Sequence, residues 1–138
     1  MKVGFTGTFR GMTPEQMATA KNILRYMEAT EFHHGDCIGA DKEMSEMATR
    51  FKIPVIIHPP VDQKKRAYCK ADYEFLPLPY LDRNKAIVRA TEVLIAAPHQ
   101  MFEHLRSGTW STVRFARHMG RKIWTVLPDG STTFTEAK

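Results

Sequence analysis

Three short stretches of the chain join glycine to hydroxyl or carboxyl residues just ahead of a helical pattern. They are Thr6-Gly7-Thr8, the run from Gly35 through Asp36 and Gly39 to Asp41, and Ser107-Gly108-Thr109. Glycine lets a ligand approach the backbone, the first helical turn presents unpaired N–H groups, and the aligned peptide dipoles favour an anion there. Arg10 and Arg106 flank the first and third stretches, and their forked N–H donors suit phosphate oxygens. Asp36 stands where an acidic residue after a second strand can accept from a ribose hydroxyl or serve as a catalytic carboxylate, whereas Asp41 reads as a helix cap. One such stretch is an ordinary strand-to-helix loop. Three at one sheet edge point to a pocket for a phosphorylated nucleoside or nucleotide-derived small molecule.

Other chemistries lack their patterns. Gly4, Gly7 and Gly11 have the wrong spacing for the dinucleotide fingerprint, and no Gly-rich loop ends in Gly-Lys-Ser/Thr. The histidines, His33, His34, His58, His99, His104 and His118, form neither HxxxH nor HExxH, so neither a metal nor another cofactor is expected; His58 is a candidate for the pocket wall. Cys37 and Cys69 lie outside any CxxC and are expected as reduced thiols, Cys37 being reactive only if a helix dipole lowers its pKa.

The elements that must position these loops follow from periodicity. Lys2 to Thr6, Glu31 to His34, Ile53 to Pro60, Glu92 to Pro98 and the run from Lys122 read as five strands. Thr13, Pro14 and Gln16 form a helix start with a capping box, and Met17, Ala20, Leu24 and Met27 recur at helical spacing towards Ala29. Met44, Met47, Ala48 and Phe51 mark a second helix behind Asp41; Asp82 is expected to cap a third through Ala90; Thr109 to Met119 form a fourth, with Gly120 after its end. Residues 61–80 lose periodicity and read as a long connection, a lid or an oligomer contact, with Lys64 to Arg66 as a solvated basic cluster. The residues from Asp129 are expected to be loose. Trp110 reads as pocket wall or packing residue.

A chain of 138 residues is expected to form a single α/β domain over 1–138, and its net charge of +5 suits an anionic partner. No apolar run is long enough to span a membrane, so a cytoplasmic protein without membrane contact is expected.

The segments "DRNKAIVRATEVLIAAP" and "RSGTWSTVRFARHMGRKIWTVLP" resemble the Arg-Asn helix, apolar strand, Ser-Gly-Ser/Thr turn and following helix of the DNA-processing protein A family. "TGT" with the nearby Arg10, and "HGDCIGAD", are similar to glycine loops of the wider SLOG superfamily, which also contains the cytokinin-activating Lonely Guy proteins. The resemblance implies a Rossmann-like three-layer sandwich with a mainly parallel five-stranded sheet, and it places Gly7, Thr8, Gly35, Gly39, Arg83, Asn84 and Ser107 to Thr109 at the ligand. It implies a homo-oligomer as well, and single-stranded DNA as a further possible partner. Lonely Guy enzymes carry a glutamate just after the Gly-Thr turn, whereas Thr109 is followed here by Trp110, Ser111, Thr112, Val113 and Arg114. Binding or sensing is therefore the expected role. N-glycosidase action on nucleoside monophosphates is the alternative, with Asp36, Asp41 or Glu103 supplying the carboxylate.

Overall fold

Alternating β-branched runs and amphipathic stretches build the expected α/β order in the computed structural model, which describes residues 1–138. In chain order the elements are β1 Lys2–Gly7, α1 Pro14–Tyr26, β2 Glu31–His34, α2 Ala40–Arg50, β3 Val55–Ile57 and β4 Tyr73–Glu74. Then follow α3 Tyr80–Ala90, β5 Val93–Ala97, α4 Gly108–His118, β6 Lys122–Val126 and β7 Thr132–Thr135. The strands lie in the order β4-β3-β2-β1-β5-β6-β7, parallel throughout except for the last pair.

Strand β5 shows why three layers form, because its residues alternate between two cores. Val93, Ile95 and Ala97 pack with Ala20 and Leu24 of α1 and Met44 and Ala48 of α2. Leu94 and Ala96 point to the other face, against Val88 of α3 and Trp110, Val113 and Ala116 of α4. Each large side chain removed from water in these layers contributes about 1.5–3 kcal/mol. Trp110 is thus a packing residue.

Helix α1 starts as its sequence predicts: Thr13 Oγ1 accepts from the Gln16 N–H at 3.0 Å, and the Gln16 side chain accepts from the Thr13 N–H at 3.3 Å. The same glutamine donates through Nε2 to the carbonyls of Pro98 and Val126, both at 2.8 Å, and so ties α1 to the ends of β5 and β6. Gly120 takes φ +69 just past α4, the conformation expected of it.

The sheet has seven strands where five were expected. Strand β4 is two residues long inside the 61–80 connection, paired to Ile56 and Ile57, and two residues carry no alternation to read. Strand β7 lies in the tail expected to be loose: it pairs antiparallel with β6, Phe134 packs on Trp124 with ring centroids 4.5 Å apart, and the Lys138 N–H reaches the Gly120 carbonyl at 3.1 Å. Two helix caps also differ from expectation. Helix α2 is preceded by Gly39 and α3 by Pro79, neither with a side-chain cap, while Asp41 and Asp82 fall within the first turns and meet the helix dipole there. Helix α1 ends at Tyr26 rather than near Ala29.

Candidate ligand-binding cavity

Strand β1 is central, its chain neighbour β2 lies on one side, and β5 arrives on the other after a crossover. A crevice opens at such a switch point beyond the carboxyl ends of the strands. Here it is a cavity of about 530 Å³, within the range of small-molecule sites. Ten of the twelve residues singled out in the sequence line it: Gly7, Thr8, Arg10, Gly35, Arg83, Asn84, Arg106, Ser107, Gly108 and Thr109.

Asp36 and Gly39 do not. Asp36 is fully buried, accepting from Arg66 Nε at 2.6 Å and from the Cys69 N–H at 2.8 Å, so its carboxylate anchors the 61–80 connection instead of facing a ligand. Arg66 also meets Glu74 at 3.0 Å, which makes this member of the basic cluster a structural ion pair. Gly39, at φ +85, locks two loops together: a Cβ there would stand 2.7 Å from the Thr8 carbonyl oxygen, and the neighbouring Ala40 N–H donates to that same oxygen at 3.0 Å.

Asp41 takes the place on the wall that the sequence suggested for Asp36. Its Oδ2 accepts from the Gly35 and Cys37 N–H groups at 3.1 and 3.2 Å, shaping the loop after β2. Its Oδ1 is buried without a partner. Burial raises its pKa to about 6, against the opposing pull of the Arg83 guanidinium. Arg83 is itself only 3% exposed. It donates from Nε to Asn84 Oδ1 at 2.7 Å and from Nη1 to the carbonyl of Gly35, with a longer contact to that of His58 at 3.4 Å. Its Nη2 is left without a protein partner. A Cβ on Gly35 would fall 3.0 Å from Arg83 Nε and closer still to its Cζ and Nη1, so the guanidinium keeps this position only over a glycine.

At the β5 side, Ser107 caps α4, its hydroxyl accepting from the Trp110 N–H at 3.2 Å. The N–H groups of the first turn are left for a ligand. Gly108 lies against Tyr80, a cavity residue whose ring also sits under the Arg83 guanidinium at 4.9 Å. Lys64 and Lys65 line the mouth, Lys65 Nζ standing 3.7 Å from the centre of the Phe9 ring. Gln100 adds a buried Oε1 without a partner.

Tyr80 and Gln100 were not picked out from sequence, since they lie in stretches without periodicity or motif, and Lys64 and Lys65 read in the sequence as part of a solvated basic cluster. Two other expectations fail on packing. His58 is turned into the β2–β3 layer, stacked on Phe75 at 4.6 Å and 2.8 Å from His33 Nδ1, with burial lowering its pKa to about 3. Cys37 lines the cavity, but burial pushes its thiol up to about 11, so the α2 dipole does not activate it. No three His, Cys, Asp or Glu side chains are grouped to hold a metal ion. No helix is long and apolar enough to cross a membrane.

Solved structures share this architecture. The molybdenum cofactor binding protein of Rippkaea orientalis superposes with a TM-score of 0.70 at 19% identity, over 92% of this chain and 77% of that one. The molybdenum cofactor carrier protein of Chlamydomonas reinhardtii gives 0.65 at 16% identity, over 92% and 76%. DNA processing protein A of Streptococcus pneumoniae gives 0.67 at 18% identity over 90% of this chain, which spans about half, 49%, of that protein. At these identities the likeness is one of fold: a three-layer α/β arrangement with a largely parallel sheet, shared with molybdenum cofactor binding and DNA processing proteins. No family model matches the chain, and no curated protein matches its sequence.

Proposed function

We propose that the protein binds a phosphorylated nucleoside or a related nucleotide-derived ligand across the switch point, with its anion at the amino end of α4. The observation that carries this reading is the convergence of Ser107–Thr109, Arg106, Arg10, Lys64 and Lys65 on a cavity whose wall also holds the unpaired Asp41 oxygen. Donors of this kind hold phosphate oxygens through backbone N–H groups and guanidinium forks. The β2 and β5 ends stand two strand spacings apart, roughly 10 Å, so a ligand touching both is longer than a bare phosphate. Calorimetry against nucleoside mono- and diphosphates, ADP-ribose compounds, dinucleotides and the molybdenum cofactor tests the reading. Binding of at least one compound, weakened about tenfold or more in Arg106→Glu, is expected. A panel in which nothing binds overturns it.

A second reading is favoured by Asp41 itself: N-glycosidic hydrolysis. Water would add to the anomeric carbon as the C–N bond breaks, the electron pair leaving on the base nitrogen and a proton being delivered to the base. A carboxyl group with a pKa near 6 can relay that proton at neutral pH. Chromatography should then detect free base from a nucleoside monophosphate with the wild-type protein and none with Asp41→Asn. No base release from any nucleotide removes this reading and leaves binding intact.

A further inference from the structure

Asp41 Oδ1 and Arg83 Nη2 are an acceptor and a donor left unused in the wall of one cavity. Both side chains are held: Asp41 by two backbone N–H groups through its other oxygen, Arg83 by Asn84 and two carbonyls through its other nitrogens. Asp41 is 5% exposed, and a buried oxygen without a partner costs free energy that a ligand donor can return. The group that meets this pair must offer a donor and an acceptor close together.

The surroundings decide which group that is. Asp41 shares its corner of the wall with Gly35, Arg83 and Asn84, and the Tyr80 ring beside them is covered by the Arg83 guanidinium at 4.9 Å. Of the apolar lining, Phe9 lies in the β1–α1 loop and Pro60 just ahead of the 61–80 connection. A sugar hydroxyl suits the polar corner, because one oxygen donates its proton to a carboxylate while accepting from a guanidinium.

We infer that Asp41 and Arg83 read the sugar diol of the ligand, so that the cavity selects ribonucleotides over 2′-deoxyribonucleotides. This rests on the nucleotide reading above and adds the class of nucleotide to it. A sugar lacking the 2′-hydroxyl leaves Oδ1 buried and unpaired, and sites built to bond a hydroxyl reject analogues without it.

The test compares adenosine and guanosine 5′-monophosphates with their 2′-deoxy and 2′-O-methyl forms by calorimetry at pH 7.5. For the wild-type protein, ribonucleotides should bind about 10- to 100-fold more tightly than either analogue. The 2′-O-methyl form keeps the oxygen but carries a methyl group in place of the proton, so it must bind as weakly as the 2′-deoxy form if the protein supplies an acceptor there. In Asp41→Asn the amide oxygen can still serve the Gly35 and Cys37 N–H groups, but a donor replaces the acceptor, and the ribose preference should shrink to about threefold or less. Equal binding of ribo and deoxy forms by the wild type overturns the inference while the nucleotide reading stands. Absence of binding by every nucleotide overturns both. If Asp41→Asn fails to fold, the wild-type comparison of ribo with 2′-deoxy forms decides alone.

Discussion

Asp41 should weaken the fold at the pH where it serves the site. In the unfolded chain its carboxyl ionises near 3.8, and in the folded chain near 6, because burial disfavours the charged form more than Arg83 and the two loop N–H groups favour it. Between those values the folded state holds a proton that the unfolded state has released, so stability falls as pH rises. The loss begins above about pH 4, is complete once pH passes the folded value, and amounts to about 3 kcal/mol for a shift of this size. Asparagine mimics the protonated carboxyl at every pH. Asp41→Asn should therefore match the wild type near pH 4 and exceed it by up to about 3 kcal/mol at pH 8, roughly 10 °C in Tm. Urea denaturation of both proteins at half-unit steps from pH 4 to 8 measures the difference directly. Curves that coincide at every pH, or a variant less stable by a constant amount, would refute the reasoning. The first outcome would mean that Asp41 is ionised in the fold without penalty, the second that its bonds to Gly35 and Cys37 need a full charge. The expected trade is the usual one between a stable fold and a site that keeps an unpaired group ready.

Other consequences are open to simpler measurements. Gly39→Ala forces a side chain onto a positive φ and into the Thr8 carbonyl, and should cost about 3 kcal/mol or more by chemical denaturation; a loss under 1 kcal/mol would mean the two loops are not locked. Phe134→Ala removes the ring packed on Trp124 and should cost about 1 kcal/mol, whereas a loose tail would give no change. Burial holds the His34 pKa down to about 4, and its Nδ1 accepts from the Asp36 N–H, so imidazole NMR at pH 5.5 should show a neutral ring protonated on Nε2; a charged ring would contradict that placement. The exposed Leu76, Tyr73 and Tyr80 of the connection and the start of α3 suggest self-association, so light scattering should give a mass above that of one chain; a monomer at all concentrations would count against it.

The fold was legible where a long segment repeats its pattern. The capping box of α1, the buried run of β5 and the glycine after α4 are local signals, and each corresponds to its element. Strands β4 and β7 were not legible, because each exists through its partner: two residues lie along β3, and four polar-edged residues turn back onto β6. The cavity was legible as loops and not as side-chain directions. Asp36 and Asp41 are five positions apart, one in a glycine loop and one in the first turn of α2, and which of them faces the cavity depends on Arg66 and Cys69, thirty and more residues from Asp36. Nothing local marks that competition. Tyr80 and Gln100 become site residues only because α3 and the β5–α4 loop are brought beside the same opening.

Strand β1 pairs with β2, about thirty residues on, and with β5, ninety residues on, where the Glu92 N–H bonds the Lys2 carbonyl at 2.9 Å. During synthesis the first strand must therefore wait with one edge unpaired until two thirds of the chain has been made. Local contacts can assemble β1 to β3 with α1 and α2 early, but the cavity wall from α3 and α4 arrives only with β5, after the slow closure of a long loop. A ligand spanning the switch point would then favour only the completed sheet and would hold the late half against the early half.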